Sequence, residues 1–88
     1  MTGFADELTA MAEEELASAI ALSWPEIKAI TPWGDAFEGF APSGRTVEVE
    51  RRYLWAVDPA GAVVVEVEVR DPATRTGAEA RALLAPPA

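Results

Sequence analysis

Between Thr46 and Arg70 the apolar side chains keep to every second position, and this alternation constrains the fold more than any other feature of the chain. Over 46–57 the odd positions are Val47, Val49, Arg51, Tyr53, Trp55 and Val57, set against Thr46, Glu48, Glu50, Arg52, Leu54 and Ala56. Over 62–70 they are Val63, Val65, Val67 and Val69, set against Glu66, Glu68 and Arg70. A period of two puts one set on a buried face and the other on a wet one, so both runs are expected as half-buried strands. Asp58-Pro59-Ala60-Gly61 separates them. Proline at the second position of a type I turn, with a left-handed glycine after it, predicts a three-residue hairpin loop with a bulge. That loop sets Glu50 opposite Arg70 and Arg52 opposite Glu68. The alternative register, two residues different, faces Glu50 with Glu68, a like-charge pair that charge alone disfavours.

The N-terminal segment has a different period. Phe4, Leu8, Met11, Ala12, Leu16, Ala19 and Ile20 recur at three and four residues, which predicts an amphipathic helix of about 20 residues with Thr2 as its cap. Pro25 ends that helix and suits the start of a short second one over 25–30. Thr31-Pro32-Trp33-Gly34-Asp35 is expected as a turn. A third strand is expected over 35–41, followed by a turn at Pro42-Ser43-Gly44. Asp71-Pro72 stops the sheet, and the alanine-rich run 78–84 is expected as a short helix ended by Pro86 and Pro87. The expected fold is therefore α+β. It is a two-layer sandwich with the N-terminal amphipathic helix and a short C-terminal helix on one face of a two- or three-stranded antiparallel sheet. Residues 1–85 form a single small acidic domain and 86–88 a proline-rich tail.

Two charges interrupt the apolar pattern. Glu15 falls inside the apolar stripe of the first helix, and Arg51 is the lone charge among the inward positions of its strand. A structural Glu15–Arg51 ion pair, fixing the helix on the sheet, is the expectation that joins them.

Half of the chain is apolar, but 18 of those residues are alanine, which leaves enough bulk for one thin core. Histidine and cysteine are both absent, so imidazole and thiol chemistry, disulfides and the usual structural zinc sites are excluded. The serines lack a histidine base, no glycine-rich phosphate loop is visible, and the acids have no EF-hand spacing. The expectation is a protein without catalytic residues, metal or cofactor.

With the third strand included, the order α-β-β-β-α resembles the layout of double-stranded RNA-binding domains. That likeness lies in element order alone. The start of the last helix, where that family carries a lysine cluster, holds only Arg75 and Arg81 nearby, and a net charge of −8 disfavours phosphate backbones. Direct nucleic-acid binding is not expected, and no apolar run is long enough for a membrane span. An acidic start in place of a basic and apolar one points to the cytoplasm.

What remains is binding to protein. Residues 1–44 carry eight acids and one base, whereas 45–88 carry seven acids and six arginines. Asp6, Glu7, Glu13 and Glu14 form an acidic surface that either solvates the helix or mimics nucleic acid before a basic groove. Trp24, Trp33, Phe37 and Phe40 either plug one end of the core or form a partner-binding ridge. Leu54, Ala56 and Val64 make a small apolar cluster on the outward face of the hairpin, a candidate homodimer contact. The function expected is a non-enzymatic protein–protein interaction module: an acidic adaptor, assembly factor, inhibitor or subunit of a larger complex. A phage or mobile-element accessory protein fits the size and charge equally well. The partner is a protein of unknown identity. The alternative is an acidic nucleic-acid mimic blocking a basic site on another protein.

Overall fold

The computed structural model describes residues 3–87. Helices α1 (Phe4–Ile20) and α2 (Trp24–Ile30) precede strands β1 (Trp33–Phe40), β2 (Thr46–Trp55), β3 (Val63–Arg70) and β4 (Gly77–Leu84). The strands form one antiparallel sheet in the order β1-β2-β3-β4. The chain is α+β, with four strands instead of the two or three expected. No helix among the described residues is long and apolar enough to cross a membrane.

Local chemistry accounts for both helix starts. The Gly3 N–H donates to Asp6 Oδ2 at 3.2 Å at the head of α1, while Thr2, expected as the cap, lies outside the described residues. Ser23 caps α2, its Oγ accepting from the Glu26 N–H at 3.4 Å, and Pro25 follows in the first turn. β1 begins at Trp33, two residues earlier than expected, so the turn before it is shorter.

The odd-numbered face of β2 and β3 is the core. Leu8 and Ala12 of α1 pack with Ala41, Val47, Val49, Val67 and Val69. Farther along, Ala19 and Ile27 pack with Tyr53, Val63 and Val65. Val63, Val65, Val67 and Val69 of β3 are fully buried.

Three expectations need correcting. The run 78–84 is not a helix but most of β4, and this removes the likeness to the RNA-binding layout. Ala78, Ala80, Ala82 and Leu84 are half-buried while Glu79, Arg81 and Leu83 are exposed, a period of two. Alanine, glutamate, arginine and leucine favour helices in isolation, but pairing with β3 overrides that preference.

The hairpin register is the other one. Glu50 faces Glu68, Glu48 faces Arg70 and Arg52 faces Glu66. The like-charge pair is tolerated because arginines lie diagonally across it. Arg70 reaches Glu68 at 2.7 Å, Glu48 at 3.1 Å and Glu50 at 3.6 Å, while Arg52 reaches Glu50 at 2.8 Å and Glu66 at 3.1 Å.

The loop is also longer than expected. The Ala56 N–H donates to the Ala62 carbonyl at 2.9 Å, closing a loop over 57–61. Within it the Gly61 N–H donates to the Asp58 carbonyl at 3.0 Å, and the left-handed residue is Ala60, with φ 67°. Gly61 is there for room: a Cβ would come within 3.1 Å of the Asp58 carbonyl oxygen. An L-residue in the left-handed region costs about 1–2 kcal/mol, and glycine's freedom in the unfolded chain offsets about 0.4–1 kcal/mol of that. Ala60→Gly should therefore stabilise by about 0.5 kcal/mol in urea melts. A destabilised variant would contradict the left-handed Ala60.

The β3–β4 turn is built on Asp71, whose side chain is almost wholly buried. Its carboxylate accepts from the Ala73 N–H at 3.0 Å, Thr74 Oγ1 at 2.9 Å and Arg45 Nη2 at 2.7 Å. The Ala73 and Thr74 hydrogen bonds, more than the arginine's charge, hold this carboxyl below the usual aspartate range. A carboxyl depressed on folding stabilises above its unfolded value of about 4, and that contribution fades as pH falls through the folded value. The Tm gap between wild type and Asp71→Asn should be widest near neutral pH and close in strong acid. A gap unchanged from pH 7 to pH 2 would mean that the carboxylate charge contributes nothing.

Candidate functional site

The register of β1 on β2 decides which side chains meet. Trp33 faces Tyr53, Asp35 faces Arg51 and Phe37 faces Val49, all on the face that carries the core. α1, however, packs over β3 and β4. The buried partners Tyr53 and Val49 are at most 3% exposed, whereas Trp33 is 43% and Phe37 40% exposed. The result is an open aromatic strip on the edge strand. Trp33 leans on Tyr53 with ring centroids 5.8 Å apart.

Arg51 organises this strip. Its Nε donates to Asp35 Oδ1 at 2.9 Å, and Nη2 donates to the other carboxylate oxygen, a two-pronged pairing. Nη1 reaches Glu15 Oε1 at 3.4 Å. The guanidinium lies 5.0 Å from the Phe37 ring centre and 5.6 Å from that of Trp33, within cation–π range. Hydrogen bonding to Arg51 lowers the Asp35 carboxyl below its ordinary value against the opposing effect of burial, and the same bond raises Arg51. Burial pushes the Tyr53 hydroxyl up.

The Glu15–Arg51 pair expected from the sequence is present, but Asp35 holds Arg51 more closely. The three side chains keep 28–33% of their exposure, so the group is part-buried. Asp35 is not legible as a site residue in the sequence, where it closes the expected turn 31–35 and opens the expected strand 35–41. The visible signal is an acid two residues from each of two aromatics, Trp33 in the expected turn and Phe37 on the expected strand.

The four aromatics do not form one ridge. Trp24 is half-buried against the core cluster of Ala19, Ile27, Tyr53, Val63 and Val65. It also lines an apolar pocket of about 220 Å³ with Ile20, Leu22, Ile27 and Leu84. Phe40 is 72% exposed and pairs with Thr46 on the opposite face of the sheet. Only Trp33 and Phe37 share the open strip.

On that opposite face Leu54 is opposite Val64, and Val64 is opposite Leu83, making a three-strand apolar row. Ala56 lies beyond its end, opposite Ala62 and not Val64. Leu83, 67% exposed, joins this row only because 78–84 is a strand and not the expected helix. Among the acids, Asp6, Glu13 and Glu14 are exposed, while Glu7 is half-buried and accepts the Ser43 N–H at 2.9 Å. Among the described residues no cluster of acids is arranged to hold a metal ion. Compared with protein-family models, curated proteins and solved structures, the chain matches none.

Proposed function

We propose that the chain is a non-enzymatic protein–protein interaction module, a small acidic adaptor, assembly factor, inhibitor or subunit. Trp33 and Phe37 are its anchors. The observation that supports this is their exposure on the core side of an edge strand. On this reading the fold is a two-layer sandwich whose helical layer stops short of β1. Aromatic side chains that a fold leaves half-covered beside a fixed guanidinium have the composition of an interface centre.

The test is affinity purification of the tagged chain from its native host, in parallel with Trp33→Ala, Phe37→Ala and Phe40→Ala. A specific protein should accompany wild type and Phe40→Ala but not the first two variants. A partner retained by all four would sink the assignment of the anchors.

A second reading rests on the exposed Asp6, Glu13 and Glu14 of α1, which would imitate phosphates before a basic groove. Salt separates the two. At about 0.5 M the Debye length shrinks to a few ångström, so a mimic's binding should vanish while an aromatic-anchored interface weakens but persists.

A further inference from the structure

The strip over β1 has the dimensions and charge of a seat for one more helix. Strands lie about 4.8 Å apart, so four of them present a floor roughly 19 Å wide, and a helix with its side chains covers about 10 Å. α1 occupies the β3–β4 half and touches β2 through Leu8 and Ala12, and Ile27 of α2 packs with Tyr53 at one end. The remainder, over β1 and the margin of β2, is one helix wide. Its floor is Trp33, Phe37 and Gly39. Trp33 and Phe37 are separated by four residues, about 13 Å along a strand, close to the rise of two helical turns at about 11 Å. An apolar stripe at i, i+3 or i+4, and i+7 spans both.

The borders of the seat are acidic. Glu7 contacts the β1–β2 turn through Ser43, and Glu15 contacts Arg51, so this flank of α1 borders the strip. Glu14, seven residues on from Glu7, is on the same flank and exposed. Asp35 stands in the floor. Against these, the local base is Arg51, already held by Asp35 and Glu15.

The edge of β1 is a poorer docking line than its face. Asp35 is a charge pointing inward from an edge strand and Glu38 lies on its other side, the pattern that discourages another strand from adding. A second copy would bring α1 with Asp6, Glu7, Glu13, Glu14 and Glu15 against the same acids, at a net charge of −8 per chain.

We propose that the open face of β1 seats an amphipathic helix of a partner protein, its apolar stripe on Trp33 and Phe37 and its flanks rich in lysine or arginine. This rests on the protein-interaction reading and adds the partner's chemistry to it.

The probe is a displayed library of random peptides about 18 residues long, selected against the intact chain. Enriched peptides should carry net positive charge, place apolar residues at three- and four-residue intervals, and gain helical circular dichroism on binding. Trp33→Ala or Phe37→Ala should weaken them by about tenfold or more, and Phe40→Ala by less than about twofold. Amide shifts in the isotope-labelled wild type should cluster on 33–39 and on the Glu7–Glu14 flank, a readout independent of whether any variant folds. Peptides that map to 33–39 but are neutral, acidic or extended would overturn the helix and leave the interaction reading standing. No enrichment, or binders that map elsewhere, would overturn the seat itself. If the natural partner also ignores Trp33 and Phe37, both readings fall.

Discussion

Leu8→Ala will lose about 3 kcal/mol of unfolding free energy, within the range of about 2–5 kcal/mol measured for deleting a fully buried leucine side chain. Leu8 has no exposed surface and packs in one cluster with Ala12, Val47, Val49, Val67 and Val69, so it joins α1 to two strands at once. The hole it leaves should stay open. Its sheet-side walls are valines, which are stiff at χ1 and anchored in paired strands, and Ala12 is too small to fill it. For a domain of this size the loss is a large part of the total. Urea melts should show a lower midpoint at unchanged slope. A loss below about 1 kcal/mol would mean that α1 is not held on the sheet through Leu8.

Arg51→Met is expected to cost about 2 kcal/mol, between the worth of an exposed ion pair and the loss on breaking a buried one. The intermediate value follows from exposures near 30% for Arg51, Asp35 and Glu15. Removing the guanidinium leaves the Asp35 and Glu15 carboxylates facing each other beside two aromatic rings. Double-mutant cycles apportion the effect. Coupling of Arg51 to Asp35, tested with Asp35→Asn, should be about 1–1.5 kcal/mol. Coupling to Glu15, tested with Glu15→Gln, should stay below about 0.5 kcal/mol, because one hydrogen bond of 3.4 Å replaces a two-pronged contact. The reverse ranking would restore Glu15 as the main partner. The contributions of Arg51 to stability and to the open strip are separable, since a destabilised but folded variant still displays Trp33 and Phe37.

The parts of this fold that were legible in the sequence are those where large side chains mark a period. Valines at 63, 65, 67 and 69 leave one interpretation open, and so do Leu8, Met11 and Leu16 at helical spacing. β4 carries the same alternation in a weaker form. Its inward residues are mostly alanines, which differ little in cost between a buried and an exposed face, so helix propensity filled the gap. The hairpin register failed for a physical reason too. A comparison of opposed pairs ignores diagonals, and Arg70 binds acids on two strands from one position.

At the candidate site, Arg51 declared itself as a charge in an apolar row, but its principal partner depended on the pairing of β1. No local pattern fixes that pairing. The same holds for Asp71: its turn is written in the sequence, but the arrival of Arg45 across the sheet is not.

The placement of α1 over β3 and β4 has a consequence for how the molecule is made. Synthesis completes α1 at Ile20, but β3 and β4, the strands it chiefly packs over, run from Val63 to Leu84. At about 5–20 residues per second the helix emerges several seconds before its seat exists. During that interval β1, β2 and β3 can pair in turn as neighbours in the chain, whereas Leu8 and Ala12 keep part of their surface uncovered until β3 and β4 follow β2. Until β4 closes the sheet, that partly uncovered segment carries five acids, and like charges keep such segments apart.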